Sequence, residues 1–234
     1  MPTCFSSIRR PRAMLLTIVL ITTMIGIVGY GAWQSVSLAQ ETKAPSTASA
    51  SASSEAPPPT LHEGDTWTDK VKGADKAFKI DTISSDGTVA VNQWGAQMET
   101  DQNWNTTKYR SLVDENSPPT VYAKPVPIYP FPLTPGKTWK EEVKWQVPDI
   151  SLNGKSEVEG KIGNWEDVTV PAGTFHAIEG EVKIRSIGRA GIGDLTTITY
   201  WYAPQVNRFV KYKMENAQEG EIDAQMVSYK PASH

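Results

Sequence analysis

From Leu61 onward the apolar residues return at every second position, and no stretch sustains the 3.6-residue spacing of a helix. Phe78 and Ile80 alternate with polar neighbours, as do Val89 and Val91, Val143, Trp145 and Val147, and Val182 and Ile184. Ile198, Tyr200 and Tyr202 alternate with Thr197, Thr199 and Trp201. Val210, Tyr212 and Met214 match Ile222, Ala224 and Met226 across Glu219-Gly220. A period of two places one face of each segment against a core, so the chain must fold as strands. Turn signals separate them at short spacing: Asp86-Gly87, Asn153-Gly154 as the strongest hairpin dipeptide, and the glycine-rich run from Gly188 to Asp194. The expected fold is all-β, an antiparallel curved sheet, sandwich or half-barrel over residues 61–234.

The segment Val168-Thr169-Val170-Pro171-Ala172-Gly173-Thr174-Phe175 is the clearest local case. Val168 and Val170 read as core-facing, Pro171 fixes φ at the second position of a tight turn, and Gly173 occupies the fourth. Phe175 is expected back in the core on the return strand. A shorter echo joins Gly64-Asp65-Thr66-Trp67 to Gly136-Lys137-Thr138-Trp139, each leading into a strand. Similar turns explain it, and so does a duplicated half-domain. Between the two, Ser117-Pro118-Pro119 and the proline-rich run 129–135 break regular structure.

Ahead of the strands lie two segments of different composition. Arg9, Arg10 and Arg12 precede an apolar run over residues 13–33, and no further charge occurs before Glu41. Residues 1–40 therefore read as a signal peptide or a membrane anchor: the run has the length of a spanning helix, yet Ser37-Leu38-Ala39 offers small residues for a signal peptidase. In either case the arginines stay inside, which makes the rest extracytoplasmic, periplasmic or secreted, with tethering to the inner membrane if the segment is uncleaved. Residues 41–60 are an Ala/Ser/Pro-rich linker too polar to offset the cost of ordering.

Charge and chemistry narrow the function by exclusion. Beyond the three N-terminal arginines there are 20 basic and 26 acidic residues, a balance of −6 that argues against nucleic acid as a partner. The single cysteine, Cys4, precedes the apolar run, so the domain has neither a disulfide nor a thiol nucleophile. His62, His176 and His234 show no metal-ligand spacing, and no cofactor is expected. Glu179 and Glu181 share one strand face, which suits paired carboxylates and equally suits a solvated surface.

The segment from Phe131 to Trp139, the turn at 168–175, and Tyr200-Trp201-Tyr202-Ala203-Pro204 with Arg208-Phe209-Val210-Lys211-Tyr212 resemble the TapB-like group of exported bacterial β-domain proteins of unknown function. The resemblance covers roughly residues 61–230. It implies an antiparallel fold and an extracytoplasmic location, and carries over no catalytic residue. Asn207 stands where a glycine is frequent in that group, and asparagine tolerates the left-handed backbone such a turn needs.

Aromatic residues are the one feature above background. Trp94, Trp104 and Tyr109 stand among Asn92, Gln93, Gln102 and Asn103, and rings beside amides suit a ligand with an apolar face and a polar edge. They are the expected ligand-binding residues. The leading expectation is a non-catalytic binding or envelope-assembly module for a lipid, glycan or envelope protein. The alternatives are a structural envelope protein with no ligand and a carboxylate-dependent hydrolase. A buried apolar pocket favours the first, a solid core the second, and two converging carboxylates the third.

Overall fold

The computed structural model describes residues 55–110, 116–188, 191–217 and 220–232. The expected signal or anchor segment, and most of the expected linker, lie outside the described residues. Among those described, no helix is long and apolar enough to cross a membrane.

Twelve strands follow one another as an antiparallel meander: β1 (Thr66–Val71), β2 (Ala74–Ile83), β3 (Val89–Gln93), β4 (Ala96–Thr100), β5 (Thr106–Tyr109), β6 (Thr120–Tyr122), β7 (Thr138–Val147), β8 (Leu152–Val170), β9 (Gly173–Gly188), β10 (Gly191–Ala203), β11 (Arg208–Asn216) and β12 (Gly220–Lys230). Each pairs with its neighbour in sequence, and β1 pairs with β12, so the sheet closes into a barrel. This corrects the expected curved sheet, sandwich or half-barrel: the sheet is neither open nor split into two. Alternation defines which face of a strand is buried, but the pairing that removes both edges is set by the remote contact between β1 and β12. The helical pieces among the described residues are two 3-10 turns, Pro148–Ile150 and Pro204–Val206.

The expected hairpin at Asn153-Gly154 is also corrected. Both residues lie inside β8, paired with Gln146 and Trp145, and the chain reverses at Pro148–Ile150 with Ser151 left-handed at φ 52°. Glycine is needed at 154 for another reason: a Cβ there would stand 2.5 Å from Cζ2 of Trp145. Trp139 lies over Gly160 and Tyr200 over Gly180 in the same way, each ring directly opposite its glycine on the adjacent strand. Glycines that accept a cross-strand ring let a sheet curve tightly enough to close. The Val170-Pro171-Ala172-Gly173 turn forms as expected, with Gly173 at φ 135°. Phe175, expected in the core, is instead half-buried at the rim of the apolar cluster.

Because the strands alternate in direction, the turns after β1, β3, β5, β7, β9 and β11 lie at one end of the barrel and the rest at the other. The second end is closed. The loop 123–137 buries Val126, Ile128, Tyr129 and Leu133, and Ala56 exchanges two backbone hydrogen bonds with Leu133. Side chains fasten this plug: Tyr200 Oη donates to Ile128 O at 3.2 Å, Trp139 Nε1 to Pro127 O at 2.8 Å, and Asn105 Nδ2 to Tyr129 O at 3.3 Å. Asn207 takes the left-handed conformation, φ 54°, that its residue type allows. Both members of the sequence echo open a six-strand half, since Thr66 begins β1 and Thr138 begins β7.

Candidate functional site

Twelve strands enclose more space than side chains readily fill, whereas about eight give an interior just wide enough to be packed. Here the closed end is packed, and among the described residues the opposite half is not. A cavity of about 440 Å³ lies between them, within the range of about 300–1,000 Å³ usual for small-molecule sites. Towards the closed end its wall is Trp104, Val126, Ile128 and Tyr129; further round it are Met98, Ile198, Phe209 and Met214. Towards the other end it is lined by Tyr109, Thr120, Tyr122, Trp145, Val147, Leu152, Asp194 and Asn216. Leu152 belongs to this lining and is 40% exposed, so among the described residues the cavity reaches the surface there. The large apolar side chains most exposed among the described residues are Ile150, Leu152 and Leu195, at the β7–β8 turn and near the start of β10.

Polar groups on the wall are hydroxyls and amides with one carboxylate. Asn216 Nδ2 donates to Thr196 Oγ1 at 2.6 Å, and the Ser156 and Ser186 hydroxyls lie 3.4 Å apart. Tyr122 keeps its phenol protonated to about pH 12, because surrounding groups withhold the water its anion would need. Burial likewise raises Tyr129, Tyr200 and Tyr202. Asp194 sits on a β-bulge, where the β9–β10 register shifts between Ile192 and Leu195, and bulges redirect side chains in this way.

Beside the cavity lies a buried ion pair. Arg208, fully buried, donates Nη2 to Asp69 Oδ2 at 2.7 Å and Nη1 to Asp69 Oδ1 at 3.2 Å. Trp94 Nε1 donates to the same Oδ2 at 2.7 Å. The guanidinium carbon stands 3.8 Å from the Phe78 ring centre and 4.1 Å from that of Phe209. Both rings also line the cavity, so the pair supports part of its wall.

The three sequence-expected ligand residues separate. Trp104 and Tyr109 lie on the cavity wall; Trp94 does not, and packs edge-on against Tyr212 at 5.8 Å between ring centres. Trp94 and Trp104 are 9% and 4% exposed despite polar neighbours in sequence. Both have left-handed backbone, φ 55° and 64°, so the chain turns at each ring and carries it inward while the amides serve the turn. Asn92 Oδ1, for example, accepts from Gly95 N at 2.9 Å. Asp194, Gln93, Trp145 and Asn216 were not singled out as site residues. The polar residues among them look like loop or strand-end residues until closure brings their strands round one space.

Glu179 and Glu181 face outward. Glu181 lies 3.5 Å from Lys161 and 3.4 Å from Lys183. His176 is exposed, with Nδ1 2.9 Å from Asp167 and its ring stacked on Trp165. Among the described residues no group of three His, Cys, Asp or Glu side chains could hold a metal ion.

No family profile matches the chain, and no curated protein matches it. The resemblance to the TapB-like group rests on the motifs alone. Solved structures that overlap it loosely include the following three. The hypothetical lipoprotein YmcC of Escherichia coli K12 does so with a TM-score of 0.47 and 11% identity, over 73% of this chain and 86% of its own. A candidate lipoprotein of Parabacteroides distasonis gives 0.41 and 15%, over 74% and 97%. A candidate exported protein of Bacteroides fragilis with a YmcC-like fold gives 0.39 and 13%, over 76% and 99%. Overlaps this loose transfer no role.

Proposed function

We propose that the barrel is an extracytoplasmic binding module that holds one lipid-like molecule in its interior. The observation that carries this reading is the cavity of about 440 Å³, walled by rings and aliphatic side chains with hydroxyls and amides among them, and reaching the surface of the described residues at one end. Of the occupants expected from sequence, a lipid suits that wall best. A glycan needs polar partners along its length, and an envelope protein needs a broad face rather than a hole. Each methylene moved from water into the cavity contributes about 0.8 kcal/mol, so a single chain gains enough to offset the freedom it loses on binding. The lining offers hydroxyls, amides and one carboxylate, groups that hold a ligand and form no paired acid and base.

Trp104 and Trp145 lie on the wall and report on the occupant. Titrating the full chain with a bromine-labelled dodecyl amphiphile should quench tryptophan fluorescence saturably at one molecule per chain. Thr120→Trp, which fills space on the wall, should abolish the effect. Quenching that never saturates, or that Thr120→Trp leaves unchanged, would refute the reading. The location rests on the arginines preceding the apolar run, so alkaline phosphatase fused after residue 60 should be active; an inactive fusion places the barrel in the cytoplasm.

A further inference from the structure

The charge of the occupant can be read from the same wall, on the premise that the cavity holds a lipid-like chain. Of the described residues lining it, Asp194 alone carries a formal charge; no lysine, arginine or histidine stands among them. Asp194 is half-buried, has no hydrogen-bond or ion-pair partner among the described residues, and is placed on the wall by the bulge in β10. A second group repeats the pattern. Gln93, the last residue of β3, lines the cavity at 9% exposure and makes no side-chain hydrogen bond to any described group. Its amide faces the cavity and is open to a partner that enters from outside.

The positions give a direction. Asp194 lies near the β9–β10 turn and Asn216 at the end of β11, both at the end away from the plug, while the described wall near the plug carries rings, aliphatic side chains and two threonines but no charge. An occupant therefore lies with its tail towards Trp104, Ile128 and Tyr129 and its head beside Asp194. At roughly 30 Å³ per water of liquid, the cavity holds the equivalent of about fifteen waters. A methylene takes a similar volume, so a chain of about a dozen carbons fits. An anionic head would meet the Asp194 carboxylate with no described cation on the wall to offset it. We infer that the barrel selects a single-chain amphiphile with a positively charged head, held by Asp194 at the mouth, and discriminates against fatty-acid-like anions.

The test is a head-group series on one tail: dodecyltrimethylammonium, dodecyl maltoside and dodecanoate, each titrated below its micelle concentration into the full chain and into Asp194→Asn. Two unit charges about 4 Å apart at a wet protein edge change Kd about fivefold, and replacing attraction by repulsion compounds this. The cation should bind at least about tenfold tighter than the anion, with the maltoside between them. Asp194→Asn should bring the three within about threefold while its melting temperature stays unchanged. If dodecanoate binds as tightly as the cation, or if Asp194→Asn preserves the order, the head-group inference is overturned and the cavity reading stands. If no member of the series binds, both fall.

Discussion

Replacing Asp69 by asparagine tests how the cavity wall is held. In the folded chain the Asp69 carboxylate accepts two hydrogen bonds from Arg208 and one from Trp94, and exposure is 2% and 0% for Asp69 and Arg208. Asparagine keeps the shape but loses the charge and one acceptor. It leaves the guanidinium uncompensated between Phe78 and Phe209, which cannot solvate it beyond a weak ring attraction. Breaking a buried pair from one side costs about 3–5 kcal/mol. With a urea m-value of about 3 kcal/mol/M for a domain of this size, the midpoint should fall by about 1–1.7 M at constant m. The charge-free pair Asp69→Asn with Arg208→Met should recover at least half of that loss, since an apolar replacement removes the uncompensated charge. Urea unfolding followed by tryptophan fluorescence measures all four corners of the cycle. A midpoint unchanged by Asp69→Asn, or a double variant as weak as the two single losses added, would show that the pair does not support the wall.

Three further outcomes follow from the packing. Gly180→Ala would drive a methyl group into the buried Tyr200 ring opposite it, and such overpacking costs about 1–3 kcal/mol, so the melting temperature should drop by several degrees; an unchanged melt refutes the close approach. Trp104→Ala should cost about 3–5 kcal/mol, as for any large ring lost from a core, whereas the half-buried Phe175→Ala should cost clearly less, and equal losses in urea unfolding would contradict their different burial. The alkaline limb of stability should be set by tyrosines. Tyr122 holds its proton to about pH 12 in the fold but loses it near 10 when unfolded, so the unfolded state binds fewer protons between those values and stability falls as pH rises through that window. Absorbance at 295 nm should show this ionisation delayed and coincident with unfolding; free titration near pH 10 with the fold intact would refute it.

The strands were legible because their evidence is local. Val170-Pro171-Ala172-Gly173 specifies its own turn, and Asn207 its own left-handed backbone, from residue type alone. What was not legible depends on residues far apart in the chain. Asn153-Gly154 imitates a turn because Gly154 answers to the Trp145 ring, and the sequence shows a glycine without showing its partner. Trp94 and Trp104 look solvated because their polar neighbours shape turns, while a left-handed φ swings each ring the other way. The cavity was equally hidden. Period two gives the faces of twelve strands, but the space between them depends on how many strands join and whether the last meets the first.

That last meeting also orders events in time. The seam pairs Trp67 with Tyr229, their rings stacked at 5.1 Å, and Ala232 N donates to Asp65 Oδ1 at 2.8 Å. Every other strand finds its partner nearby in sequence and can pair as soon as it is made. The seam must wait until nearly the whole chain exists, and it joins positions separated by the largest loop the domain contains. Until β12 arrives, β1 and β11 both present open backbone edges to any other extended chain. The step that completes the binding chamber thus also ends a period of exposure to misassembly, and substitutions at Trp67 or Tyr229 should lower the yield of folded protein more than they lower the stability of the molecules that do fold.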